Sequence, residues 1–236
     1  MIKLGKAQFG LLGFVLLVSL TSSAQRATLG IDVGQTSDKF GGQSRTTSAV
    51  GDITTKLVIL QGDQKEGGAQ VVAGAEARFP FDTNNHATEF AIFGGVEFRP
   101  ASAFSVGVHV QVRKILMPSV NESQLVFNRN NMELMELPLF VQYRFGPSKH
   151  AFLQAEGAPE FRPRWRAPKS GASVLPNPGF DHAYFVRGSI GYNFGKWYAK
   201  GTYQTRYFKF NNDIGNPDGL YNWRSDLATA GVGLVF

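Results

Sequence analysis

Apolar and polar residues alternate along most of this chain with a period of two. That is the repeat of an extended strand, in which successive side chains point to opposite faces. The plainest run is Phe104, Val106, Val108, Val110 and Val112, interleaved with Ser105, Gly107, His109, Gln111 and Arg113. Three runs near the start repeat it: Leu29, Ile31 and Val33; Ile53, Thr55, Leu57 and Ile59; and Val71, Ala73, Ala75, Ala77 and Phe79. Phe90, Ile92, Gly94, Val96 and Phe98 form a fourth. Further on come Leu139, Val141, Tyr143 and Phe145; Leu153, Ala155, Gly157 and Phe161; and Tyr184, Val186, Ile190 and Tyr192. Trp197, Ala199, Tyr203 and Tyr207 precede a terminal run of Ala228, Ala230, Val232, Leu234 and Phe236. The pattern predicts ten antiparallel strands. Omitting the first two leaves eight, with residues 25–68 as an extension.

The predicted connections fall into two sets. Gly195-Lys196, Gly146 to His150, Arg99 to Ser102 and Gly62 to Gly68 are short. Asn211 to Asp226, Arg164 to His182, Leu116 to Glu136 and Asp38 to Val50 are long, with Phe81 to Ala87 the short exception among them. Aromatic residues gather at both strand ends. Phe98, Phe104, Phe145, Phe152, Phe194, Trp197 and Phe236 adjoin the short turns, and Phe79, Phe161, Trp165, Tyr207, Phe210 and Trp223 adjoin the long loops. Ten residues at ~3.3 Å each, tilted about 40°, cover the ~25 Å apolar slab of a bilayer. Two aromatic girdles at its interfaces would account for the clustering.

The start of the chain carries a different signal. Lys3 and Lys6 precede an apolar run from Phe9 to Leu20, followed by Ser22-Ser23-Ala24. This is the layout of a secretory signal peptide over residues 1–24, leaving 25–236 as the mature chain. The run is shorter than the ~20 residues a spanning helix needs. With no cysteine in the chain, disulfides, thiolate metal sites and lipid attachment through cysteine are excluded. A basic balance of +6 could point to nucleic acid, but an export signal points away from it.

An exported chain ending in an amphipathic strand with a terminal aromatic resembles a bacterial outer-membrane β-barrel, of the small OmpA/OmpX-like type. The resemblance spans nearly the whole mature chain and rests on pattern, with no sharp motif. It implies an all-β fold, a transmembrane antiparallel up-and-down barrel of ten strands, in the outer membrane. It implies outer-membrane lipids and lipopolysaccharide as surroundings, and the barrel-assembly machinery as a partner reading Phe236. The strand faces opposite the apolar ones carry both signs of charge: Asp32, Lys56, Glu76, Arg78, Glu89, Glu97, His109, Arg113, Arg144, Glu156, Glu160, Arg187, Lys200 and Arg206. In the inverted polarity of a membrane barrel these face the lumen. Ten strands enclose little more room than the eight whose interior side chains fill. The expectation is a lumen sealed by a charged network, with a narrow pore for small solutes as the alternative.

Candidate chemistry is sparse. Omptin-like proteases use an Asp-x-His pair, whereas Asp181 and His182 are adjacent and would point to opposite faces. Asp82 and His86 share one outer loop without a second acidic pair, and His109 falls on the lumen face. A lipid-acting barrel would want a His-x-Ser spacing, which is absent. The expectation is no catalysis, no cofactor and no metal, with a rim enzyme on lipid or peptide as a second alternative. Arg162, Arg164, Arg166 and Lys169, around Trp165, form a basic stretch suited to lipopolysaccharide phosphates, since Arg forks match phosphate geometry. Asn121-Glu122-Ser123 matches a glycosylation sequon by chance, and Asn211 to Asp218 reads as flexible turn chemistry.

Overall fold

A computed structural model describes residues 26–41, 45–61, 68–117, 131–166, 180–211 and 222–236. The proposed signal peptide lies outside them, as do Lys169 and the side chains of Arg162, Arg164 and Arg166. Eleven strands follow in order: β1 (Ala27–Phe40), β2 (Thr46–Gln61), β3 (Ala69–Pro80), β4 (Thr88–Ala101), β5 (Phe104–Leu116), β6 (Asn131–Glu136), β7 (Leu139–Phe145), β8 (Ala151–Arg166), β9 (Phe180–Asn193), β10 (Trp197–Phe210) and β11 (Trp223–Val235). β6 and β7 both lie between β5 and β8. They form one stave broken at Leu137-Pro138, where proline cannot donate to the ladder. The barrel therefore has ten staves.

Every neighbouring pair is antiparallel, and β1 closes on β11 from Thr28↔Val235 to Phe40↔Trp223. At the seam, Phe236 N–H donates to the Ala27 carbonyl at 2.8 Å. No sheet edge is left open. β1 and β2 are integral staves, so the eight-strand arrangement does not occur. At the short-turn end, Gly146 and Gly195 take φ of +87° and +91°, a region that costs a side chain but not glycine.

The alternation places Ile31, Ile92, Val108, Val110, Val112, Val141, Val186, Ile190 and Val232 on the outer wall, exposed. Their sequence neighbours Asp32, His109, Gln111 and Arg113 are buried inside. Polar inside and apolar outside is the reverse of a water-soluble barrel and fits a bilayer.

The strands outrun the slab. Fourteen residues cover about 35 Å along the axis at ~3.3 Å per residue and about 40° of tilt. Beyond the slab, at the long-loop end, the polarity turns over. Phe40, Ile115, Met132, Leu134, Ala183, Phe208, Phe210 and Trp223 face inward as one buried apolar cluster, while Lys39 and Arg224 face outward. This corrects several sequence expectations. The segment 131–136, expected within a loop, is strand β6. The link from β1 to β2 spans only residues 41–45, not Asp38 to Val50. Phe210 and Trp223 fill the interior instead of the outer girdle, and Phe152 lines the lumen instead of the inner one.

Depth sets the cost of an outward charge. Val110→Arg, in the belt, should lower stability by about 2–4 kcal/mol and Gln35→Arg, above it, by about 0–1 kcal/mol, measured by denaturant titration in lipid vesicles. Equal costs would contradict the assigned slab.

Candidate functional site: the barrel lumen

Three layers fill the lumen along its axis. The first, at the short-turn end, is polar and open. There Glu97 accepts from Gln70 Nε2 at 2.6 Å, lies 3.2 Å from His109 Nε2 and pairs with Lys56. Lys200 Nζ sits 2.8 Å from Asp32. Arg144, despite the expectation of a charge network, donates to the Ser105 hydroxyl at 3.0 Å.

The middle layer is ionic and dry. Arg187 grips both oxygens of Glu76 at 3.0 Å, donates to Gln204 at 2.9 Å and approaches Glu156 at 3.6 Å. Arg78 donates to Glu89 at 2.7 Å. Arg113 spans Glu89 at 2.9 Å and Glu136 at 3.0 Å. Arg206 reaches Glu89, Glu136 at 2.9 Å and Glu160 at 2.9 Å, the last an ion pair without hydrogen-bond alignment. The side chains of Arg78, Arg113, Arg206, Glu89, Glu136 and Glu160 are at most 1% exposed. Arg187 and Arg206 both lie over the buried Phe185 ring, 5.6 and 5.5 Å from its centre. Four arginines meet four glutamates in the buried part of the layer (Glu76, Glu89, Glu136, Glu160), which is balanced in charge, and Glu156 adjoins Arg187 at its open edge. Ion pairs in such a site survive only when every charge is met, because stripping water from a lone charge costs several kcal/mol.

The third layer is the apolar cap. Trp223 stacks on Phe208 at 5.4 Å and on Phe40 at 6.0 Å. The short loop from Phe81 to Ala87 tucks Ala87 into this cluster and His86 beside it. Asp38 fastens the cap, accepting from Trp223 Nε1 at 2.9 Å and lying 2.6 Å from His86 Nδ1. The loop itself turns on Asp82, which accepts from Asn85 Nδ2 at 2.9 Å and from the Asn84 amide at 3.1 Å. The Asn85 hydrogen bond is the main reason its carboxyl sits below the usual range.

The fourteen charged residues that the alternation puts on the inner face, Glu89 among them, are buried in the lumen or line it. Glu136 is equally central; it lies in the stretch that reads as loop, where Met132, Leu134 and Glu136 alternate. Asp181 and His182, expected to diverge, come within 3.3 Å. The bulge at Lys209/Phe210 skips Asp181 in the pairing and breaks the alternation. On the outer wall above the belt, Asp226 receives Arg45, Arg224 and, at 3.4 Å, the Tyr203 hydroxyl. No metal-holding group of His, Asp and Glu occurs among the described residues.

Closure, inverted polarity and segregated turns decide the class. The chain is a closed, outer-membrane-type β-barrel. Solved structures of similar outline include the translocator domain of the autotransporter NalP from Neisseria meningitidis, at 11% identity and a TM-score of 0.46, covering 98% of this chain and 95% of that one. The outer membrane protease OmpT of Escherichia coli is 12% identical with a TM-score of 0.39, covering 92% and 98%. Ail, the attachment invasion locus protein of Yersinia pestis, is 8% identical with a TM-score of 0.30, covering 90% and 99%. No protein-family model matches the chain, and no curated protein matches it. The barrel assignment rests on its own register and polarity.

Arg206→Met leaves Glu89, Glu136 and Glu160 short of one cation in a dry site. It should cost about 3–5 kcal/mol in a guanidinium titration of the folded barrel. A loss below ~1 kcal/mol would mean that water reaches the layer.

Proposed function

We propose that this protein is a sealed barrel of the outer membrane, akin to the small OmpA/OmpX-like type, with a structural and surface-interaction role and no catalysis. The observation that carries this reading is the stacked closure of the lumen, a charge-balanced Arg/Glu layer beneath an aromatic cap. An ion crossing it would have to part buried pairs, each charge of which costs several kcal/mol to leave unmet. Three of the four histidines meet a carboxylate, His86 with Asp38, His109 with Glu97 and His182 with Asp181, and the fourth, His150, stacks on Tyr192. The first two are buried props of the lumen, which favours a structural role over a catalytic one. The working surface is then the long-loop end. Basic side chains lie there on the outer wall just above the lipid belt, including Arg45, Arg224 and Lys209. Lipopolysaccharide phosphates are the fitting neighbours for these and for Arg162, Arg164, Arg166 and Lys169. Phe236, at the closing seam, is the residue for the barrel-assembly machinery to read.

The test is single-channel recording in planar bilayers, using refolded protein whose gel mobility shifts on boiling. The reading predicts silence from inserted protein. Steady conducting steps would overturn it in favour of a narrow solute pore.

A further inference from the structure

Beneath the ionic layer the lumen is a blind cavity of about 470 Å³ that opens at the short-turn end. We propose that this cavity is a binding site for a flat organic anion, a hydroxyaryl carboxylate of one or two rings, entering from the periplasmic side. The inference goes beyond the sealed-barrel reading and needs only the cavity's own walls.

The cavity is kept open by the way its aromatic rings lie. Phe93, Phe140, Phe152 and Tyr198 line it, yet none fills it. Each ring is laid down against a glycine of a neighbouring strand: Phe93 on Gly74, Phe140 on Gly107, Phe152 on Gly191, Tyr198 on Gly233. A Cβ built at any of these glycines would collide with its ring and drive it toward the barrel axis. The glycines therefore let the rings lie back against the wall; Phe93 and Phe140 also pack on His109, with Lys56 6.0 Å over Phe140, which leaves Phe152 and Tyr198 to offer faces to the cavity. Ring faces take flat apolar bodies by stacking.

The charges of the wall favour an anion. Of the wall carboxylates, Asp32 pairs with Lys200 and Glu97 with Lys56, Glu76 and Glu156 share Arg187, and Asp52 makes no ion pair among the described residues. Arg26, Arg99, Arg144 and Lys149 also line the cavity. Among the described residues these four have no carboxylate partner: Arg144 is held by the Ser105 hydroxyl and Lys149 by that of Ser102. An uncommitted guanidinium fork fits a carboxylate.

The inner wall carries unmet polar atoms. Gln111 Nε2 and Asp52 Oδ1 both belong to lining side chains at least nine-tenths buried, and neither atom has a hydrogen-bond partner. Buried polar atoms are costly when unmet. Gln111 on β5 and Asp52 on β2 thus leave an unmet donor and an unmet acceptor for a polar group, such as a hydroxyl, carried on the far side of a ring. The cavity volume is that of ordinary small-molecule sites.

Isothermal titration of detergent-refolded, heat-modifiable protein with 6-hydroxy-2-naphthoate tests the proposal. The expected result is saturable 1:1 binding, weakened at least tenfold by Arg144→Gln and by Gly107→Val. Arg224→Gln, on the outer wall, should leave it unchanged. Three results would overturn it: no saturable binding, equal uptake of the neutral naphthalenemethanol analogue (partition into detergent), or inorganic phosphate binding as tightly as the naphthoate (a cationic mouth without a ring site). Conducting steps in planar bilayers would sink the sealed-barrel reading alone, because binding is read separately.

Discussion

Everything in this structure follows from the lack of water in hydrocarbon. A backbone N–H or carbonyl with no partner there costs several kcal/mol, so a strand can cross only if both edges are paired. The seam of β1 with β11 meets that demand. Closure then fixes which way each side chain points, and the period of two does the rest. One set of residues meets lipid. The other is confined to a narrow interior, where each charge must find an opposite or stay near water. The paired layer around Arg113, Arg206, Glu89 and Glu136 and the open region around Lys200 and Asp32 are these two solutions, stacked in one lumen.

The membrane also ends, and the chain registers where. Inside the slab, apolar residues point out. Above it, at the long-loop end, the same staves carry Phe40, Ile115, Phe208 and Trp223 inward and Lys39 and Arg224 outward. A segment surrounded by water follows the ordinary rule of burying apolar area. The cap is thus a small soluble core set on a membrane barrel. Asp38 links its parts, binding the Trp223 indole of β11 and His86 from the loop after β3. The loop after β3 is held down from within.

The slab portion was legible from sequence because its alternation has one polarity. The faces of Val106 to Val112 against Ser105 to Arg113, and of Val232 and Leu234 against Gly231 and Gly233, follow from counting by twos. The lumen charges followed as well, because an Arg or Glu between two lipid-facing residues has nowhere else to point. The portion above the slab was not legible by that rule. Met132 and Leu134 point inward there and Glu133 does not, so the stretch fails as a lipid-facing strand and reads as loop. Phe210 and Trp223 passed for girdle residues for the same reason. Pairing within the lumen was out of reach, since Arg206 and Glu89 lie 117 positions apart and only barrel closure brings them together. The Asp181–His182 contact needed knowledge of a bulge.

The central claim is that the lumen opens at one end only. The chain has no cysteine, so single cysteines report access without background. Ser189 lines the open cavity and Ala183 is buried in the cap. A membrane-impermeant maleimide applied to either face of oriented vesicles gives the most direct answer. Ser189→Cys should react from the short-turn face alone, and Ala183→Cys from neither. Labelling of Ser189→Cys from the long-loop face would contradict the account.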